Sequence, residues 1–353
     1  MADIYTYSKR VALTAAVVLL VAAGFYMFGR HGYFFLLVFA GILLAVLFSG
    51  IAELLQAKLH LKYSLALLFA VLLFFGIIGG AIYLVAPTVG GQVKEFKTSF
   101  PAALSQVENW LNDYSWGQQV IQKVPDDVSQ MFPKQQALLS RVTVLFSSTL
   151  SILADFLLVI VTALFLAANP KLYTVGFTKL FAVRHRSRIM QVLGMCYQSL
   201  KLWLLAMFLA MAVVGVSTAV GYSMLGLPLP FALALIAFLF AFVPNVGPLL
   251  AGVPAVLIGL TVSPQMALYV LLLYAGIQLV ESYMITPIIF HKTVDLPPAL
   301  LLFFQVLLGI VQGALGLLLA APLLAVLMVV INELYVKDVL EAYPVHASEE
   351  VLE

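Results

Sequence analysis

The sequence predicts an all-α, polytopic membrane protein, and three observations lead there. Of its 353 residues, 63% are hydrophobic, against about 45–50% in soluble domains. Only 10% are charged, against about 25%, too few to coat a soluble surface of this size. Those charges gather in gaps between apolar runs of roughly 20 residues, the helix length that crosses a ~30 Å hydrocarbon core at ~1.5 Å per residue. Soluble enzymes and nucleic-acid binders are thereby excluded. The net charge of +2, from 18 basic and 16 acidic residues, gives no overall field toward DNA, RNA or an acidic substrate. One cysteine, Cys196, allows no internal disulfide, and five scattered histidines form no metal-ligand pattern.

Six runs have spanning length: 11–29, 33–52, 63–87, 143–168, 202–227 and 265–290. The first follows Lys9 and Arg10 and reads as a span, because no small-residue cleavage pattern follows it. Two more, 229–262 and 297–331, hold 34 and 35 residues, or roughly 50 Å as straight helices, which overshoots the bilayer. That makes about eight apolar segments. Both long runs are interrupted, the first by VPNVGP with Pro244, Gly247 and Pro248, the second by Gly309, Gly313, Gly316 and Pro322. Proline removes an amide donor and glycine permits sharp bends, so each run reads either as a re-entrant helical hairpin or as one long kinked span.

Charge sets the orientation. Residues 170–201 carry Lys171, Lys179, Arg184, Arg186, Arg188 and Lys201 without an acid, which marks a cytoplasmic connection. Counting spans from it puts both termini inside and 89–141 outside. The parts are then an N-terminal three-span region (1–88), an extracytoplasmic helical segment (89–141), a fourth span (142–169), a basic amphipathic linker (170–201), a core of spans and interrupted segments (202–331) and an acidic cytoplasmic tail (332–353). The outer segment spaces Val93, Phe96, Phe100, Val107, Trp110 and Tyr114 for a helix face. The basic 179–200 stretch interleaves Phe181, Ile189, Val192, Leu193 and Leu200, as does a helix lying on anionic lipid. In the hairpin reading, 198–262 and 265–331 are two units of similar length and opposite orientation, each a span plus an interrupted segment. Such a pair points to a secondary transporter's binding site.

Only Asp155 and Glu281 lie near the middle of a spanning run. A charge there costs at least ~2.5 kcal/mol, and with no lysine or arginine at similar depth such a carboxyl is either protonated or reached by water or a bound cation. Both states suit coupling to H+ or Na+. Gln278 stands one turn before Glu281, with Thr286 and Pro287 after it; a neutral, purely structural carboxyl accounts for the same pattern. Asn245 sits at the first interruption, where half-helix ends bind ions or polar groups or a side chain simply caps a helix. Gln305, Gly309, Gln312, Gly316 and Ala320 follow helical spacing, a face for close helix approach or for sliding. No P-loop, GxSxG or HExxH pattern occurs, so neither ATP-driven pumping nor a familiar intramembrane hydrolase has a signature, and no cofactor is called for.

The C-terminal half resembles the autoinducer-2 exporter family. The ordered matches are FVPNVGPLLAGVPA at 242–255, QLVESYMITPIIF at 278–290, VDLPPALLL, and LLGIVQGALGLLLAAPL at 307–323. The resemblance covers nearly the whole chain, with its specific part in the last third. It implies that the family's proline-glycine turn falls on Pro244, Gly247 and Pro248, its glutamate on Glu281, its following proline on Pro287, and its last glycines and proline on Gly313, Gly316 and Pro322. His291 stands where the family often has glycine, and Pro297 replaces a frequent histidine, which points to a branch whose substrate need not be autoinducer-2. Homo-oligomers, pentamers in one branch, and Na+/H+ antiport in some members are implied by similarity alone. The resulting expectation is a non-enzymatic secondary transporter of the bacterial inner membrane that exports a small polar molecule, with H+ or Na+ coupling. The alternatives are a Na+/H+ antiporter and an uncoupled channel or scaffold assembly.

Overall fold

The computed structural model describes residues 29–80, 153–285 and 296–341, with isolated positions 26, 83, 86–87 and 91–92. The expected first span apart from Tyr26 and Gly29, the outer segment beyond Gln92, the turn with Thr286, Pro287 and His291, and the last twelve residues lie outside the described residues. What is described is helical, without a strand. In chain order the helices are α1 (Gly32–Leu59), α2 (Tyr63–Gly80), α3 (Leu153–Ala168), α4 (Pro170–Thr178), α5 (Arg186–Met224), α6 (Pro230–Phe240), α7 (Val246–Val262), α8 (Pro264–Val280) and α9 (Pro298–Val330). Wider turns extend α8 over Glu281–Ile285 and α9 over Ile331–Leu340.

Five helices among the described residues are long and apolar enough to span a membrane, or six if the bent pair α3–α4 counts as one, and α6 and α7 are shorter. The expected count of eight is therefore not reached among them. Their outward faces carry large exposed apolar side chains, such as Leu65, Leu68, Phe69, Leu72 and Leu73 along α2. A soluble chain cannot leave such a row in water, whereas lipid solvates it. The chain is a multi-pass membrane protein. In one cluster the buried contacts are made by small residues: Ala45, Ala52, Ala66, Ala70, Ala163 and Ala167 pack α1, α2 and α3 around Phe48. With little hydrophobic drive between helices in lipid, close backbone approach supplies the packing.

Three expectations change. The basic stretch does not form a surface helix separate from the next span: residues 186–224 form one helix of 39 residues, with no break at 201/202. Glu53 of α1 makes that continuity tolerable by pairing with Lys201, while the Tyr197 hydroxyl donates to the same carboxylate at 2.7 Å. The turn lies earlier instead, an 86° elbow between α3 and α4. There Asn169 accepts from the Leu172 amide and Pro170 opens α4, the usual chemistry of a helix start. Finally, residues 332–340 are helical. They prolong α9, and Glu333 and Asp338 pair with Arg188 of α5 at 2.8 and 2.9 Å.

The two long runs both fold back. In the first, α6 and α7 pack together, Ala232, Leu233 and Ala237 against Ala251, Ala255 and Ile258 in one cluster. In the second, Gly313 holds φ 65 and ψ −147, a region essentially confined to glycine. A Cβ on Gly316 would meet the Leu308 carbonyl oxygen at 2.2 Å. Residues eight apart touch in this way only where the chain reverses. Gln305, Gly309 and Gln312 therefore stand on one arm and Gly316 and Ala320 on the other, and the continuous face read from their spacing does not exist. The arms are also unequal, because the second runs on to Leu340. The two units of the core do not pack alike either. α5 packs closely on α6, while among the described residues α8 packs on α7 and α5 and makes no comparable contact with α9, whose arms lie on α5 and α1.

Candidate functional site

The site is built around the VPNVGP tip between α6 and α7. α6 ends as the Val243 amide bonds the Phe240 carbonyl, 2.9 Å, and the Gly247 amide bonds the Val243 carbonyl, 2.9 Å. Asn245 takes φ 65 and ψ −53, and the Val246 amide donates to the Pro244 carbonyl at 2.8 Å. Together these describe a γ-turn of the rare, strained kind. Asn245 is exposed and makes no side-chain cap, so the capping role considered for it does not apply. Gly247 is buried against the opposite limb, where a Cβ would meet the Phe240 carbonyl oxygen at 1.8 Å. Only a residue without a side chain lets the limbs approach this closely.

Two helices hold the tip. Gln305 of α9 is fully buried, and its Nε2 donates to the Pro244 carbonyl at 3.0 Å. Its Oε1 is buried without a hydrogen-bond partner among the described residues. From α8, the Tyr274 hydroxyl donates to the Pro248 carbonyl at 3.0 Å. Gln278 follows one turn later, its Nε2 buried with no hydrogen bond among the described residues beyond its approach to the Tyr274 hydroxyl, and Glu281 after it. Positions 274, 278 and 281 lie on one face of α8, leading from the tip to the half-buried Glu281, whose carboxylate accepts from the Ser282 hydroxyl at 3.1 Å. Trp203 of α5 packs edge-on against Phe242 beside the tip, ring centroids 5.6 Å apart.

The structure thus joins Pro244, Gly247, Pro248 and Gln305 directly, with Gln278 and Glu281 on the adjoining face of α8. Two other expected site residues stand apart. Asp155 on α3 accepts from the Tyr33 hydroxyl of α1 at 2.6 Å, a link between two helices. Gln312 packs close to Gly32, where a Cβ would come within 2.4 Å of its Nε2. Tyr274 escaped the sequence reading although its spacing to Gln278 and Glu281 was visible, because a tyrosine in an apolar helix carries no charge to draw notice. A groove of about 390 Å³ between α5 and α8 is lined by Val213, Leu272, Leu273 and Ile277 with one hydroxyl, from Ser217. It offers a polar solute almost nothing.

A tip of backbone carbonyls and one buried glycine, clasped by side chains from two helices inside a bundle of apolar helices, fits a membrane transport protein. Comparison with known proteins agrees: the model of the AI-2E family transporter matches residues 15–336. The chain belongs to the AI-2E transporter family. Its relatives include "Putative transport protein YueF" of Bacillus subtilis, 24% identical over 304 residues that cover 83% of this chain and 82% of that protein. A second from the same organism, "Putative transport protein YrrI", is 25% identical over 299 residues, 82% and 83% of the two chains. A third, from Mycobacterium tuberculosis, is 23% identical over 269 residues, 75% and 73%. This AI-2E transporter is accordingly a membrane transport protein.

Proposed function

We propose that this AI-2E transporter is a secondary exporter of a small polar solute, with the VPNVGP tip as its moving gate, Gln305 and Gln278 as hydrogen-bonding groups and Glu281 as the coupling carboxyl. The observation that carries the reading is Gln305: a fully buried amide with one hydrogen bond to the tip and its oxygen without a partner among the described residues. A buried acceptor left unsatisfied costs about 1–3 kcal/mol, and native proteins rarely keep one without a use for it. A solute bearing hydroxyl or amide donors satisfies it as it passes the tip. Glu281 is favoured over Asp155 for coupling because it shares the α8 face with Tyr274 and Gln278 beside the tip, whereas Asp155 links α3 to α1 away from it.

Orientation and setting belong to the same proposal: bacterial inner membrane, both termini inside, and homo-oligomeric assembly as the family resemblance implies. The anionic-lipid contact expected of the 179–200 stretch moves to α4 and the linker after it. Lys171, Lys179, Arg184 and Arg186 have no acidic partner among the described residues. Leu172, Phe177 and Leu180 are exposed beside them, which suits a helix lying in an anionic headgroup layer.

The test is Gln305→Leu in proteoliposomes loaded with a panel of small polar metabolites, under imposed H+ and Na+ gradients. Leucine has similar bulk and removes both the orphaned oxygen and the amide bonded to Pro244, so a stability cost of about 1–3 kcal/mol is expected from the carbonyl left behind. The variant is expected to assemble like the wild type and lose solute flux. Unchanged flux of every solute that the wild type carries refutes the assignment of Gln305.

A further inference from the structure

We infer that Tyr274 is a positioning residue for the VPNVGP tip, forming with Gln305 a two-point latch that must open before the tip can shift. The inference rests on the reading that the tip is the moving part, and it goes beyond it by assigning what holds the tip still. Three observations bear on it. The Tyr274 hydroxyl bonds the Pro248 carbonyl at 3.0 Å while the Gln305 amide bonds the Pro244 carbonyl at 3.0 Å. The two clasped carbonyls therefore flank the γ-turn at Asn245, one on each limb.

The second observation is the seat of the ring. A Cβ on Gly252 would lie 3.0 Å from Tyr274 Cε1 and 3.2 Å from Cδ1, so one edge of the ring rests on bare backbone of α7 one turn beyond Pro248. Glycine there costs helix stability, and what it admits is this ring. The third is the separation of the two anchors. Tyr274 is on α8 and Gln305 on α9, helices that make no substantial contact with each other among the described residues. The tip bonds to both, so its position reports on both. Tyr274 also begins the face that continues through Gln278 to Glu281, which places the clasp on the same stripe of α8 as the carboxyl.

Inside an apolar bundle each clasp matters more than the same bond at a wet surface, because an uncoupled hydroxyl or carbonyl finds no water to replace its partner. Loss of the Tyr274 hydroxyl is expected to raise the open population of the tip by roughly three- to tenfold, the usual range for one net hydrogen bond. The ring itself, seated on Gly252, should keep α7 and α8 together.

The experiment is hydrogen exchange, read by mass spectrometry on the full-length protein in lipid nanodiscs, for the peptide covering residues 240–250. Tyr274→Phe is expected to speed exchange at the Val246 and Gly247 amides by that factor, with exchange along α5 and the melting temperature unchanged. Gly252→Ala, which lifts the ring from its seat while leaving the hydroxyl on it, is expected to do the same. Combining Tyr274→Phe with Gln305→Leu should exceed either alone. The latch is overturned if neither Tyr274→Phe nor Gly252→Ala changes exchange at the tip, or if exchange rises equally along α5 and α6 with a lower melting temperature, the mark of a packing residue. Exchange needs no solute and no gradient, so a failed flux assay and a failed latch are read separately.

Discussion

Gly247→Ala is the sharpest perturbation of the tip. The added methyl carbon would stand 1.8 Å from the Phe240 carbonyl oxygen and 2.7 Å from its carbon, whereas ordinary contact begins at 3.4 Å. Both atoms belong to backbone, so no rotamer relieves the clash and the two limbs must part. Overpacking of this kind costs ~1–3 kcal/mol, and a contact that moves main chain belongs at the upper end. Alanine returns up to ~1 kcal/mol through its helix propensity, leaving a net loss of roughly 2 kcal/mol. Gly276→Ala is the matched control: it is helical, and a Cβ there meets nothing within 4 Å. It is expected to be neutral or stabilising by up to ~1 kcal/mol. Thermal unfolding of the two purified variants in one detergent should place Gly247→Ala several degrees below the wild type and Gly276→Ala at or above it. If both variants melt together, the limbs of the tip do not approach as described, and the gate loses its geometric basis.

Glu281→Gln keeps size and hydrogen bonding while fixing a neutral state. It should assemble normally and lose the dependence of flux on H+ or Na+ gradients; an unchanged dependence, measured in proteoliposomes, would end the coupling role and pass it to Asp155→Asn as the next test. At the far end of α5, Arg188→Ala should lower the melting temperature more than Lys337→Ala. Arg188 ties α5 to Glu333, to its carbonyl and to Asp338, whereas Lys337 reaches Glu333 only within its own helix. The reverse order would show that the α5–α9 ion pairs do not hold these helix ends together.

How much was legible from sequence follows from what each feature depends on. In a bilayer every backbone amide must find its partner within its own helix, so a run of apolar residues fixes a helix without reference to anything else. The runs beginning near Tyr33, Tyr63, Gln265 and Pro298 were visible for that reason. So were the two interruptions, since Pro244, Gly247 and Gly313 act on the chain locally. Glu281 and Gln278 drew notice because polar groups in an apolar run are expensive wherever they end up.

What sequence could not supply was the choice of partner. Lys201 marks the end of a surface segment only if it must stay in headgroups; Glu53, 148 residues away, neutralises it, and α5 runs on. Residues 332–340 read as a polar tail until Arg188 is brought across from another helix. A regular spacing from Gln305 to Ala320 assumes a continuous helix, and the reversal at Gly313 divides it. The latch itself joins Gln305 to Pro244 across 61 residues and Tyr274 to Pro248 across 26. Local rules determined where helices form and where they break, because those depend on near neighbours and on the solvent. Which carbonyl a buried glutamine or tyrosine reaches depends on how the helices pack, and only the tertiary structure decided that.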